Sequence, residues 1–128
     1  MAGSRRLNRR VWLIAALVLA GCGRAPDLSG TWVGRWASDD GVSRGTFRVQ
    51  VSQSGNRISG RIALEGTWFS RARIVGVVEG SHIRWGVLHG GVSVLTFEGR
   101  VEEGRSAGTY RGPGGSTGRW TAVRIARP

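Results

Sequence analysis

The chain has 128 residues, a formal net charge of +11 and a single cysteine. Every one of its 19 basic residues is arginine, against eight acidic residues. One cysteine excludes a framework of internal disulfides. The 22 glycines follow no collagen period and are accompanied by only three prolines, so they indicate strand bends and turns rather than a low-complexity linker.

Residues 1–21 have the three parts of an export signal. Four arginines between positions 5 and 10 form a basic segment, Val11 to Ala20 form an apolar run, and small residues precede Cys22. The apolar run of about ten residues is much shorter than the roughly 20 that a membrane-spanning helix needs. The pattern therefore predicts a signal peptide that is removed after export.

Leu19-Ala20-Gly21-Cys22 resembles the lipobox of bacterial lipoproteins. The resemblance covers residues 1–22 and implies cleavage before Cys22 and a diacylglycerol thioether on that cysteine. Two or more acyl chains anchor a protein stably, whereas one chain holds it only marginally. Gly23 stands where Asp would resemble an inner-membrane retention signal, which implies an outer-membrane protein that faces the periplasm. An ordinary secretory signal with a chance cysteine is the alternative.

Cleavage after Gly21 leaves 107 residues with 15 arginines and eight acidic residues, a net charge of about +7. That length corresponds to one domain with a sizeable core. For an exported domain, anionic envelope components suit this charge better than nucleic acid does.

From Ser29 onward, apolar and polar residues alternate with a period of two between short turn signals. Short connections without a helical segment favour an all-β, up-and-down antiparallel barrel, and a two-sheet sandwich is the alternative. The predicted organisation is a signal peptide at 1–21, a lipidated tether at 22–28 and a β-barrel domain at 29–128. The pattern predicts about eight strands, at Gly30–Ala37, Gly45–Gln53, Arg57–Glu65, Arg71–Glu79, His82–Leu88, Val92–Val101, Ser106–Arg111 and Gly118–Ala126.

Gly30-Thr31-Trp32 on the first strand and Arg124 on the last resemble the calycin group, which comprises lipocalins, fatty-acid-binding proteins and avidins. The resemblance rests on these short motifs and implies that Trp32 packs at a closed end with Arg124, or alternatively Arg119, across its indole. A guanidinium stacks favourably on an indole. Avidins share Gly-Thr-Trp, but Val33 follows it here and no biotin-binding set of polar residues matches, so biotin binding is not implied.

Four tryptophans fall on predicted inward faces. They either line a cavity for a small apolar ligand or fill the narrow interior of an eight-stranded barrel. A further aromatic pair, Trp68-Phe69, lies in a connection and is a candidate lid or partner contact. The candidate ligand-binding residues are Trp32, Trp36, Trp85 and Trp120.

The residue pattern predicts no catalytic site, metal site or cofactor. His82 and His89 are the only histidines, the carboxylates fall at turns, and no serine has the strand–helix context of a nucleophile elbow. We therefore expect a non-enzymatic, lipid-anchored envelope protein that binds a small apolar ligand. The alternative is an interaction or inhibitor protein that uses Trp68-Phe69 or the arginines expected to face outward, namely Arg48, Arg57, Arg61, Arg71, Arg73 and Arg84.

Overall fold

The computed structural model describes residues 25–67 and 70–128. Eight antiparallel strands follow one another around a closed barrel, in which β8 pairs with β1 and no strand edge is left unpaired. The predicted eight-stranded barrel is therefore confirmed, and each strand begins and ends within one residue of its predicted bounds. The strands are β1 (Gly30–Ser38), β2 (Arg44–Ser54), β3 (Arg57–Leu64), β4 (Arg71–Glu79), β5 (His82–His89), β6 (Val92–Glu102), β7 (Arg105–Arg111) and β8 (Thr117–Ala126).

Side-chain alternation decides which residues face the barrel axis. In β2, Phe47 and Val49 are buried, whereas Arg48 and Gln50 are exposed. The other strands place most of their apolar residues inward, and Leu28 joins the same core from the segment before β1. All eight strands and the core residues that the structure describes lie within residues 25–128, so that stretch contains a complete closed barrel.

Glycines on the inward face make room for aromatic rings. A Cβ atom at Gly34 would overlap the ring of Phe47, and one at Gly118 would overlap the ring of Tyr110. Any larger residue at these positions would displace the ring that fills the interior. The strand glycines therefore act on packing as well as on strand curvature.

The barrel has two distinct ends because successive strands run in opposite directions. We call one end the mouth; it carries the β1–β2, β3–β4, β5–β6 and β7–β8 connections. The other end, which we call the closed end, carries the remaining three connections and the segment 25–29 that leads into β1.

The β7–β8 connection contains one turn of 3-10 helix at Pro113–Gly115. The expectation that no helical segment follows the signal was wrong at this point. Pro113 supplies a fixed φ suited to the start of a turn, and Gly114 and Gly115 adopt φ values of 68° and 77°, which glycine tolerates. Among the described residues, no helix has the length and apolar character needed to cross a bilayer.

Candidate functional site

The middle of the barrel is filled by four aromatic rings: Phe47, Trp85, Phe97 and Trp120. Trp85 and Phe97 are cross-strand partners whose rings stack with centroids 4.0 Å apart and an interplanar angle of 9°. Trp120 meets Trp85 edge-on at 5.7 Å, and Phe47 lies 6.0 Å from Trp85. Such pairs stabilise a core by about 0.5–1.5 kcal/mol each beyond the area they bury. The rings therefore form a solid layer across the barrel.

A small cavity lies inside the barrel, next to this layer. Its volume is about 40 Å³, and Trp32, Trp85, Trp120 and Ser106 are among the residues that line it. A cavity that holds benzene has a volume of roughly 150 Å³. This cavity therefore has room for one or a few water molecules and is much smaller than a cavity that holds benzene.

The closed end is sealed by contacts between the first and last strands. Arg124 lies opposite Trp32 in the β1–β8 pairing, and its guanidinium carbon is 5.2 Å from the centroid of the Trp32 ring. Arg119, the alternative partner, is exposed on the outer face of β8. Arg124 Nη1 also donates to the backbone oxygens of Asp27 at 2.8 Å and Ser29 at 3.2 Å.

Gln53 fixes the segment 25–29 over this end. Gln53 Nε2 donates to the backbone oxygen of Pro26 at 2.8 Å, and Gln53 Oε1 accepts from the backbone N–H of Leu28 at 2.7 Å. The Leu28 side chain is only 3% exposed, and its backbone oxygen accepts from Trp32 Nε1 at 2.8 Å. Gln53 was not among the predicted site residues, because its position in an alternating strand gives no sign of a long-range contact.

The mouth holds a larger pocket, with a volume of about 310 Å³. Its aromatic lining is formed by Trp36, Phe97 and Tyr110, with Leu64 and Leu95 adding aliphatic surface. Tyr110 meets Trp36 edge-on at 6.0 Å and lies 5.6 Å from Phe97. Trp36 Nε1 donates to the backbone oxygen of Glu65 at 3.2 Å, which holds the indole of Trp36 in place. We call this space the mouth pocket.

The rim of the mouth pocket is polar and contains a carboxylate. Asp40 Oδ1 accepts from Ser38 Oγ at 2.5 Å and from the Val42 amide at 2.9 Å, and these hydrogen bonds lower the pKa of Asp40. Burial of Tyr110, followed by the negative charges of Asp39 and Asp40, raises the pKa of its phenol. Ser43, Thr67 and Ser116 complete the described polar lining, which contains no arginine although the chain is strongly basic.

The structure does not bring the four predicted tryptophans into one pocket. Trp36 lines the mouth pocket, whereas Trp32, Trp85 and Trp120 surround the small interior cavity. Tyr110 and Leu95 line the mouth but were missed, although both lie at inward positions of an alternating pattern. The candidate lid Trp68-Phe69 and the lipobox with Cys22 lie outside the described residues.

No constellation for metal or nucleophilic chemistry is found in residues 25–67 and 70–128. Within that part of the chain, no three His, Cys, Asp or Glu side chains cluster as a metal site would require. Three Gly-x-Ser-x-Gly strings do occur, around Ser43, Ser106 and Ser116. Ser43 precedes β2, Ser106 points inward from β7, and Ser116 lies between the 3-10 turn and β8. None of the three therefore stands between a strand and a following helix, as a nucleophile elbow requires.

The arginines expected on the exterior are exposed on β2, β3, β4 and β5. Arg84 pairs with Glu98 on β6 at 3.0 Å, and both side chains are largely in solvent. An ion pair of this kind contributes less than about 1 kcal/mol to stability. The barrel therefore has a mouth pocket whose described lining is aromatic and free of arginine, and a strongly basic side.

No protein-family model matches the chain, and its sequence matches no curated protein. Among solved structures, the barrel is similar to a crystal structure of a mutant of the fluorescent protein UnaG. The two have a TM-score of 0.42 and 13% identity, and the match covers 78% of this chain and 97% of the other. A similarity this distant carries no functional argument.

Proposed function

We propose that the protein is a non-enzymatic, lipid-anchored binding module of the bacterial envelope that holds a small, largely apolar ligand in its mouth pocket. The observation that carries this proposal is the difference between the two internal spaces. The aromatic layer leaves only about 40 Å³ inside the barrel, whereas about 310 Å³ is open at the mouth.

The mouth pocket has the size and lining of a small-molecule site. Ligand pockets usually measure about 300–1,000 Å³ and combine apolar walls with a few polar groups that fix orientation. Here Trp36, Phe97 and Tyr110 offer flat apolar contact, and the Tyr110 hydroxyl and Asp40 offer polar contacts. Of the four tryptophans predicted to bind ligand, Trp36 takes that role in this proposal, while the other three stabilise the barrel.

The position of the tether supports an orientation. Cys22 precedes Leu28 by six residues, which span at most about 20 Å when extended. Since Leu28 is packed at the closed end, a lipid on Cys22 would hold that end towards the bilayer. The mouth, at the opposite end of the barrel from the tether, would then be open to the periplasm, where a ligand can reach it without crossing lipid.

The test is a binding titration of the barrel, residues 25–128, with N-phenyl-1-naphthylamine, a neutral apolar dye that becomes fluorescent in apolar surroundings. Ser116→Phe fills the mouth pocket, and Ser52→Phe places the same ring on the exposed face of β2 as a matched control. We expect saturable binding that weakens at least tenfold in Ser116→Phe and is unchanged in Ser52→Phe. Absence of binding, or equal weakening in both variants, would contradict the proposal.

A further inference from the structure

Four exposed arginines lie together on the outer side of β2, β3 and β4. Arg61 on β3 is the direct cross-strand partner of Arg73 on β4. Arg48 and Arg71 flank the same residue, Ala63, from its two sides. With strands about 4.8 Å apart, the four residues occupy a patch roughly 10 Å wide. We call Arg48, Arg61, Arg71 and Arg73 the arginine face.

Among the described residues, no carboxylate pairs with the two arginines at the centre of this face, Arg61 and Arg73. Across the neighbouring strands, Arg61 faces Gln50 and Arg73 faces Leu88, which are both neutral. The next carboxylates along the chain are Glu65, which follows β3 four residues beyond Arg61, and Glu79, which ends β4 six residues beyond Arg73. These separations are about 13 Å and 20 Å along the strands, beyond the screening length of roughly 8–10 Å.

Like charges directly opposite each other destabilise a sheet. The pairing of Arg61 with Arg73 therefore costs stability without a compensating contact in the described part of the protein. A fold that only needed a soluble exterior could place a neutral or acidic side chain at either position. The cost is consistent with a face that is balanced by an anionic partner.

Two exposed valines continue the face along β4. Val75 is 47% exposed and Val77 is 41% exposed, and Val77 lies between Arg57 and Arg84 on the neighbouring strands. Exposed apolar side chains among basic ones are typical of surfaces that bind at the boundary between headgroups and acyl chains. We infer that the arginine face docks the side of the barrel on the headgroups of an anionic phospholipid bilayer. This inference depends neither on the mouth pocket nor on Cys22.

The chemistry of the face suits phosphate groups displayed on a surface. A guanidinium binds phosphate oxygens with two parallel hydrogen bonds, and its charge is present at any physiological pH. Each arginine near an anionic bilayer contributes roughly a fivefold gain in binding. A free phosphate ion would use one or two of these arginines and would leave the valines exposed to water.

The experiment measures sedimentation of the barrel, residues 25–128, with vesicles of phosphatidylcholine alone or mixed with phosphatidylglycerol. Arg61→Gln with Arg73→Gln removes the central pair, and Arg105→Gln with Arg119→Gln removes the same charge from exposed positions on β7 and β8. We expect binding only to the mixed vesicles, weakened by raised salt. The central double variant should bind roughly 25-fold more weakly, and the control double variant should change less than threefold.

A second readout separates docking from a structural role. Relief of the like-charge pair should raise the urea midpoint of the central double variant while its vesicle binding falls. A lowered midpoint, equal binding losses in the two double variants, or no preference for the mixed vesicles would overturn the inference. At constant ionic strength, inorganic phosphate should compete with the vesicles no better than chloride does. Displacement of the vesicles by phosphate but not by chloride would show that the arginine face binds a free phosphate ion, which would overturn the inference.

Discussion

The guanidinium of Arg124 lies over the indole of Trp32, with its central carbon 5.2 Å from the ring centroid. The same side chain donates to the backbone oxygens of Asp27 and Ser29, which precede β1. Arg124 on β8 thus contacts both Trp32 on β1 and the segment 25–29 that precedes β1. The contact closes the barrel at the point where its first and last strands meet.

Arg124→Gln should therefore destabilise the barrel by about 2 kcal/mol. The change removes two hydrogen bonds to backbone carbonyl groups, which contribute about 0.5–1 kcal/mol each because one is solvent-exposed and the other only partly buried. It also removes a cation–π contact of about 0.5–1 kcal/mol. Urea denaturation of the wild type and the variant measures the loss. Arg119→Gln, an exposed arginine on the same strand, is the matched control and should stay within about 0.5 kcal/mol of wild type. Equal effects of the two substitutions would contradict a sealing role for Arg124.

Ser106 offers a test of the small interior cavity. Its hydroxyl is buried beside that cavity and has no hydrogen-bond partner among the residues described. Since an unsatisfied buried hydroxyl costs roughly 1–3 kcal/mol, Ser106→Ala should stabilise the barrel by about 1 kcal/mol. Urea denaturation checks this, with the exposed Ser52→Ala as a neutral control. A destabilised Ser106→Ala would show that the hydroxyl holds a bound water instead.

Tyr110 should make stability depend on alkaline pH. Burial and the carboxylates of Asp39 and Asp40 raise the pKa of its phenol above the ordinary value of 10.0. Folding therefore favours the neutral phenol, and its contribution is fully present below about pH 10 and is lost as pH rises through the raised pKa. Tyr110→Phe should lose less stability over that range.

Tyrosinate absorbance measures this titration directly, because Tyr110 is the only tyrosine in the chain. The folded barrel should titrate at higher pH than the barrel unfolded in urea. A folded phenol that ionises at the same pH as the unfolded one, or at a lower pH, would contradict the buried position of Tyr110 in the mouth pocket.

The lipid anchor is tested at Cys22. In a bacterium that processes lipoproteins, Cys22→Ser should abolish incorporation of labelled fatty acid and leave the unprocessed precursor. Substitution of Gly23 by Ser keeps the cysteine and should preserve labelling. Normal labelling of Cys22→Ser would mean that the lipid is not attached to this residue. That result would also contradict the proposed orientation of the mouth, which depends on a lipid at Cys22.

The barrel was predictable because each strand buries one face, which makes the period-two pattern explicit. Val75 and Val77 are apolar but occupy outward positions of β4, and both are exposed, as the period of two requires. The pairing of Arg124 with Trp32 was expected only through the resemblance to calycins. The mouth pocket was not predictable, because Leu64, Leu95 and Tyr110 come from strands distant in sequence and converge only when the barrel closes. The sequence also left open whether the barrel interior is filled or hollow. The answer depends on whether side chains from different strands, such as Trp85 and Trp120, meet at the barrel axis.

The most direct test of ligand binding at the mouth follows the indole N–H signals of the tryptophans by nuclear magnetic resonance during titration with N-phenyl-1-naphthylamine. The signals can be assigned with single Trp→Phe variants, and their indoles have different acceptors, Glu65 for Trp36 and Leu28 for Trp32. We predict a saturable shift of the Trp36 signal and no shift of the Trp32 signal at the closed end. A shift at Trp32 and Trp85 with Trp36 unmoved would place the ligand inside the barrel and contradict the proposed site.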